Sequence, residues 1–494
     1  MQKDEVLEQV LDLLIVGSGF SGLCLAIQAQ KKGLRWHLLE QAAELGGTWR
    51  DNHYPGAACD IPSNLYSFSF LPNPNWTRLY PPQAEIKAYM DHCADTSNIR
   101  HGLQFNARVV RAQWLAQSCR WQVTTADGSV FHSRTLAVGT GGLSRPQMPR
   151  VDDLNLFQGQ LFHSARWPQN IALQGQRVGV IGTGASSIQI VPVIAPDCAT
   201  LTLFQRTPAW VIPRNDKAVS AETQALYRRN PWRQRLSRAL TYVRLESRMF
   251  AFTRAQVLLR QAQKRVKRYL AHQVKDADLR QRLTPRYRLG CKRILLSDDF
   301  YPALQRPNVT LVDQAVVRAT VTGVVTADGA HHALDVLIAA TGFQVADAGT
   351  AFDIIGANGV DLNALWAKGP QAYLGTVVSG FPNLFLMTGP NTGLGHNSMV
   401  YIIESQARFV MAAITALESK GVAAFDVKAE QQVRFNEAVQ DQLRGSVWNT
   451  GGCQSWYLAS DGSNRTLWPD FTFRLRRRLA QFDWAMFQPI ARPS

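Results

Sequence analysis

The sequence predicts an α/β fold with two Rossmann-like dinucleotide-binding domains, the second carrying a helical insert. Three observations predict it. The apolar run Leu13 to Val16 leads into Gly17-Ser-Gly19-Phe20-Ser-Gly22, and Leu23, Ala26 and Ile27 continue at helical spacing. The same order of strand, tight turn and helix returns at Arg177 to Ile181, followed by Gly182-Thr183-Gly184-Ala-Ser-Ser187. Between residues 220 and 290 the α/β rhythm stops, and Leu236, Leu240, Val243 and Phe250 recur at helical spacing among arginines.

A chain of 494 residues has room for two or three domains. The expected division is 1–145, 146–375 with its insert at 220–290, and 376–494, the first domain being discontinuous. A hydrophobic share of 46% with 18% charged residues belongs to a globular chain and excludes a disordered one. The net charge of +16 is concentrated, since residues 221–290 hold 18 Lys/Arg against 4 Asp/Glu. No paired zinc ligands or aromatic RNA-binding signature accompany it, so no nucleic-acid partner is expected. A solvated helical face is the simplest reading, and weak attraction to an anionic membrane surface stays open. The seven cysteines are scattered without C-x-x-C spacing, so neither a metal site nor a dithiol pair is expected. Free thiols in a reducing, cytoplasmic setting are expected instead. The start, Met-Gln-Lys-Asp-Glu, and the short first apolar run give no recognisable secretion signal, and no apolar run approaches a membrane span. Oligomeric state is not legible.

In the first nucleotide loop Gly17 permits the turn, Gly19 lets backbone approach a pyrophosphate, and Gly22 lets helix and strand pack closely. The helix N-terminus offers N–H groups to phosphate. The strand Trp36 to Leu39 ends at Glu40, placed for ribose hydroxyls. Gly46-Gly-Thr48-Trp49 and Tyr54-Pro-Gly56-Ala-Ala-Cys-Asp60 read as loop. Residues 103–140 alternate apolar and polar, with a hairpin turn at Asp127-Gly128, and read as a small β-excursion. In the second nucleotide loop Ser187 replaces the third glycine, and a small residue still permits close packing. The strand Leu201 to Phe204 ends in Gln205-Arg206-Thr207 rather than in an acid. A carboxylate would repel a 2′-phosphate, whereas arginine holds one, so this site favours NADPH. The first, ending in Glu40, favours the adenosine ribose of FAD. Strands at Asp335–Ala339 and Asn383–Met387 each run into glycine-containing turns, and a helix is expected from Ser398 to Leu417. The run Arg474 to Arg478 reads as a solvated tail.

Between the two loops lies Phe157-Gln-Gly159-Gln-Leu-Phe-His163-Ser-Ala-Arg-Trp167-Pro168. It resembles the F-x-G-x-x-x-H-x-x-x-W-P fingerprint of the flavin-dependent Baeyer–Villiger monooxygenases. The G-G-x-W, Y-P-G and Asp60 pattern is similar to a second signature of that family. The resemblance covers roughly residues 10 to 470 and implies FAD and NADPH as cofactors. It places Phe20, Thr48, Trp49, Asp60, Tyr66 and Val109 along the FAD, and Thr183, Thr207, Lys292 and Trp456 along the NADP. It makes His163 part of a hinge rather than a group that attacks substrate. In Cys291-Lys292-Arg293, it makes Arg293 the catalytic cation that stabilises an anionic flavin peroxide, with Lys292 assisting the 2′-phosphate and Asp60 orienting Arg293.

The activity so implied is oxidation of a small-molecule ketone by O2 to an ester or lactone. Oxidation of sulfur or nitrogen is the alternative within the same architecture. The alternative from another class is a non-catalytic FAD-binding protein, or one that uses the basic insert to bind nucleic acid or membrane.

Overall fold

Eight strands form the larger sheet of the computed structural model, which describes residues 10–345, 349–459 and 461–491. The N-terminal Met-Gln-Lys-Asp-Glu, on which the secretion argument partly rests, lies outside the described residues. The centre of this sheet is Leu11–Val16, paired in parallel with Trp36–Leu39 on one side and with Val130–Val138 on the other. Its residues Leu13, Leu14 and Ile15 are wholly buried, as a parallel strand covered on both faces must be. Val130–Val138 also pairs with Arg120–Thr125 antiparallel and with Leu384–Leu386 in parallel. The predicted β-excursion and its turn at Asp127-Gly128 are therefore present, and the C-terminal part of the chain returns to the first sheet. It returns earlier than the boundary at 376, because Asp353–Ile355 already pairs with Val109–Leu115.

The second sheet has five parallel strands, in the order Val309–Val312, Thr200–Phe204, Arg177–Ile181, Val336–Ala339 and Gln160–His163. It is the α/β unit expected around the second glycine loop. The fingerprint residues Phe157 and Trp167 are buried, and the fingerprint supplies the edge strand of this sheet.

The insert is helical as expected: Ala221–Arg229, Pro231–Glu246, Arg248–Thr253, Gln256–Gln273 and Ala277–Arg282. Its apolar positions are divided differently from a simple amphipathic reading. Leu245, Met249, Phe252 and Leu259 join the core of the first sheet's helices, whereas Leu236, Leu240, Val243 and Phe250 are exposed.

Four further expectations are corrected. The glycine-rich loop after residue 46 contains a short helix, Thr48–Asp51. The run at 474–478 is not a solvated tail but part of the helix Thr472–Arg478, anchored by wholly buried Leu475. Met399–Lys420 is long and apolar enough to cross a membrane, but 72% of its apolar window is buried inside the protein, as in a core helix. Finally, Cys291 and Cys453 form a disulfide across 162 residues, and the other five cysteines are buried thiols. Thiol titration of the denatured chain should therefore find five thiols without reductant and seven after reduction. Seven in both would remove the disulfide.

Candidate functional site

The first glycine loop is built so that only glycine fits. Gly17 has φ +97°, and a side chain there would meet the Gly139 carbonyl at 2.8 Å. A Cβ on Gly22 would lie 1.8 Å from the Gly17 oxygen. Glu40 ends the neighbouring strand and is buried rather than solvated. Its carboxylate accepts from Ser18 N at 2.9 Å, Ser18 Oγ at 2.7 Å and Ala42 N at 2.9 Å, and Arg50 lies 3.1 Å away. It is thus fixed against the glycine loop. Ala107 N donates to the Glu40 carbonyl and brings the start of the Val109 strand to the same end of the sheet.

Phe20, Trp49 and Tyr66 form one wall. Phe20 and Trp49 each meet the Tyr66 ring edge to face, at 5.3 and 5.6 Å. Trp49 Nε1 donates to the Tyr66 hydroxyl at 3.0 Å. Burial pushes the Tyr66 hydroxyl far above its ordinary range, so it stays neutral. A closely approachable glycine loop, a fixed carboxylate and an aromatic wall fit an FAD.

In the second loop Gly182 has φ +115°, and a Cβ would meet the Ala340 carbonyl at 2.4 Å. Ser187 is wholly buried at the third-glycine position, so serine does satisfy the close packing there. Thr183 Oγ1 donates to the Thr207 carbonyl at 2.8 Å and ties this loop to the end of the next strand. Arg206 is exposed at that end. Lys292, 86 residues further on, lies close enough to feel it. Burial first and then the charge of Arg206 lower the Lys292 pKa. Neither cation has a carboxylate within ion-pair distance among the described residues. Two like charges held near each other beside a glycine loop fit a phosphorylated nucleotide.

Asp60 and Arg293 meet across 233 residues of chain. Arg293 Nε donates to Asp60 Oδ2 at 2.6 Å and Nη2 to Oδ1 at 2.7 Å, a bidentate pair, while Nη1 donates to the Leu394 carbonyl at 3.3 Å. The side chains remain 30% and 28% accessible, so the pair is held without being sealed off. Burial alone would raise the Asp60 pKa, but the Arg293 charge and hydrogen bonds outweigh it and lower the net value. The Asp60 charge in turn keeps Arg293 protonated well beyond any working pH.

The Tyr54-Pro-Gly56 segment has a contact that spacing could not show. Tyr54 donates to Gln189 Oε1 at 3.0 Å, and Gln189 Nε2 donates to the Ala58 carbonyl at 3.0 Å. A Cβ on Gly56 would lie 2.6 Å from the Gln189 backbone carbonyl oxygen. The loop leading to Asp60 is therefore clamped to the helix Ala185–Ile194 of the second sheet.

The fingerprint lies beside this junction. His53 Nε2 donates to the Trp167 carbonyl at 3.0 Å. His163 is buried, its Nδ1 accepts from Ala165 N at 3.0 Å, and its ring meets Phe343 edge to face. Burial lowers the His163 pKa, which favours the neutral ring. Gly159 is required because a Cβ would lie 2.4 Å from the Asp335 carbonyl. Pro168 follows directly. The fingerprint thus touches both the Asp60 loop and the crossover at 340–343, and it is not brought to the Asp60–Arg293 pair.

Sequence reading places Tyr457 in a stretch resembling the family's substrate and nicotinamide wall but gives it no role of its own, and it misses Glu246. Tyr457 is buried beside Arg293 and Asp60, whereas its neighbour Trp456 is 46% exposed. Glu246 is buried and accepts from Asn397 Nδ2 at 2.6 Å, Thr472 Oγ1 at 2.9 Å and Thr472 N, with His396 Nε2 at 3.3 Å. It pins the insert to the C-terminal segment. The available signal was that Glu246 is the lone acid between residues 223 and 275.

The sequence profile of the family described as flavin-binding monooxygenase-like matches residues 11–348. A Baeyer–Villiger monooxygenase of Pseudomonas aeruginosa is 44% identical over 481 residues, covering 97% of this chain and 91% of the relative. One from Streptomyces coelicolor is 43% identical, covering 100% and 95%. Among solved structures, an oxidised steroid monooxygenase bound to NADP superposes with a TM-score of 0.87 at 31% identity, over 98% of this chain and 100% of that one. A closed cyclohexanone monooxygenase superposes with a TM-score of 0.87 at 27% identity, over 98% and 99%.

Proposed function

We propose that this chain, which belongs to the flavin-binding monooxygenase-like family and within it to the Baeyer–Villiger monooxygenases, carries its reaction on the Asp60–Arg293 pair. The protein is an FAD-containing, NADPH- and O2-dependent enzyme that converts a ketone to an ester or lactone, with NADP⁺ and water as the other products. FAD, when bound, supplies the electrons that activate oxygen, and NADPH replenishes them as hydride.

The work left to the chain is to bind, orient and stabilise charge. The loop Gly17–Gly22, with Glu40 and the start of the Val109 strand, holds the FAD nucleotide. Phe20, Thr48, Trp49 and Tyr66 line its ring. The loop Gly182–Ser187, with Arg206, Thr207 and Lys292, holds NADPH, and exposed Trp456 is proposed to cover it by the family resemblance. Arg293 keeps a permanent positive charge where negative charge develops on reduced oxygen, and Asp60 fixes its plane. Buried Tyr457 lies beside that charge and packs one side of it. The fingerprint residues Phe157, Gly159, His163, Trp167 and Pro168 act as a hinge, because they contact both the Asp60 loop and the crossover. The single observation that carries this reading is the bidentate pair joining the first domain's loop to Arg293.

The partners proposed are a ketone and O2, and the compartment is the cytoplasm. The five buried thiols support that compartment, whereas the disulfide departs from its usual thiol chemistry. The test of the function is a panel of ketones, sulfides and amines with NADPH. Esters or lactones formed one per NADPH support it. Sulfoxides or N-oxides without any ester would overturn the carbonyl preference.

Asp60→Ala should retain FAD and lose about a hundredfold in ester formation, because a cation displaced by about 1 Å costs that much. Flavin absorbance and product analysis check this. Apoprotein or an unfolded chain would make Asp60 a structural turn residue instead. The pair also sets an acid limit. A carboxyl whose folded pKa is lowered stabilises the protein above its unfolded pKa, and that stabilisation is lost as pH falls through the folded value.

A further inference from the structure

The helix Pro231–Glu246 is packed inside out. Gln234 is 3% exposed, and its Nε2 donates to Asn64 Oδ1 at 3.0 Å and to the Asn73 carbonyl at 2.6 Å. Arg238 points the same way, donating to the carbonyls of Asn64 at 2.9 Å and Ser67 at 2.8 Å, with Glu404 at 3.6 Å. Leu245 is the apolar anchor of that face. The opposite side holds Trp232, Leu236, Leu240 and Val243, which are 58%, 49%, 63% and 62% exposed. At 3.6 residues per turn these four fall within an arc of about 80°. Buried polar groups with apolar residues turned outward reverse the ordinary arrangement of a surface helix, and that reversal is informative in a way that a scattered exposed leucine is not.

The following helices expose further apolar residues. Phe250 in the next short helix, and Val257 and Leu258 at the start of Gln256–Gln273, are also exposed. Seven of the eighteen exposed large apolar side chains among the described residues fall between 232 and 258, and three of them, Trp232, Leu236 and Leu240, line one surface with Leu79, which makes a patch. A groove of about 520 Å³ runs beside it, lined by Leu79, Trp232, Leu236 and Leu240 with Arg233 and Arg244.

The rim of the patch is basic. Residues 231–268 hold eleven Lys/Arg and one acid, Glu246, and Glu246 is buried in its own network. Of the eleven, Arg238 and Arg254 have ion pairs among the described residues. Arg233 lies over the Trp232 ring at 5.2 Å. Of the remaining nine, Arg248 lies near enough to Tyr80 and Asp60 to feel their charges, and the other eight are exposed. A protein partner would need matching apolar and acidic surface, whereas an anionic bilayer offers both at once. The aromatic and aliphatic stripe meets the acyl boundary and the arginines meet the phosphates.

We propose that the helical insert docks on an anionic phospholipid surface through Trp232, Leu236, Leu240, Val243 and Phe250, with Arg233, Arg235 and Arg244 at the level of the lipid headgroups. Docking through this face is peripheral and spans nothing.

The test is co-sedimentation of the purified holoenzyme with phosphatidylcholine vesicles, with and without phosphatidylglycerol. Binding is expected to the vesicles containing phosphatidylglycerol and to fall at least about tenfold between low and high salt. Leu240→Glu with Val243→Glu should weaken it at least about tenfold. Arg233→Gln with Arg235→Gln should cost about fivefold per charge. Flavin absorbance and NADPH oxidation should be unchanged in both variants, which shows that they are folded. Equal binding by wild type and the Leu240→Glu/Val243→Glu variant would overturn the proposal, as would no binding at low salt. Light scattering that finds a wild-type dimer and a monomeric variant, with no vesicle binding by either, would assign the face to a second copy of the chain and also overturn it.

Discussion

Arg293→Ala is expected to keep its FAD and still accept hydride from NADPH, yet to form about a hundred- to a thousandfold less ester. The two half-reactions ask different things of this residue. Reduction by hydride builds no negative charge on oxygen. The oxidative half does, and without a fixed cation that charge takes a proton and the oxygen leaves as hydrogen peroxide. The geometry supports a steep loss. Arg293 spends two nitrogens on Asp60 and one on the Leu394 carbonyl, so its charge is held in one place. Removing it also leaves Asp60 without the charge that offsets its burial, so the carboxyl pKa should rise. Arg293→Lys retains a charge but not the planar fork, and should fall between the two. Anaerobic stopped-flow absorbance measures reduction, and peroxide and product assays after oxygen is admitted measure the rest. Wild-type ester formation by Arg293→Ala would remove Arg293 from the reaction.

Arg206→Ala should raise the KM for NADPH about ten- to a hundredfold and leave NADH nearly unaffected. One charge-assisted hydrogen bond is worth about 1.5–3 kcal/mol, which is that factor. Arg206 is not occupied by any carboxylate among the described residues, and its charge, after burial, is what lowers the Lys292 pKa. Lys292→Ala should act in the same direction on NADPH. Steady-state kinetics with both nucleotides decide it. An equal loss for NADPH and NADH would mean that Arg206 supports the loop and does not read the 2′-phosphate.

How much of this was legible depends on how far apart in the chain the interacting groups lie. The strand–turn–helix form of the two glycine loops is legible because each is a continuous stretch whose backbone demands a residue type. Gly17 and Gly182 sit at positive φ against a carbonyl, and no other residue satisfies that. The ends of the adjoining strands, Glu40 and Arg206, were legible for the same reason, since strand length fixes where the next side chain emerges. Asp60 and Arg293 were identified only through resemblance. They are 233 residues apart, and no local rule brings a loop aspartate to a distant arginine.

The sequence by itself determined the α/β class, the two nucleotide loops and a basic helical insert, because these follow from periodicity and from backbone demands within a few residues. Only the tertiary structure decided where those parts face. It turned Leu236, Leu240 and Val243 outward and Gln234 inward, because the helix docks on the carbonyls of Asn64, Ser67 and Asn73, and helical spacing cannot say which face finds a partner. It joined Cys291 to Cys453 although their spacing gave no sign of it. It made Gly56 a contact with the second domain's helix rather than only a turn. Each of these depends on which surfaces meet after the chain closes on itself. That is settled by the packing of whole elements, and a pattern read along one of them does not contain it.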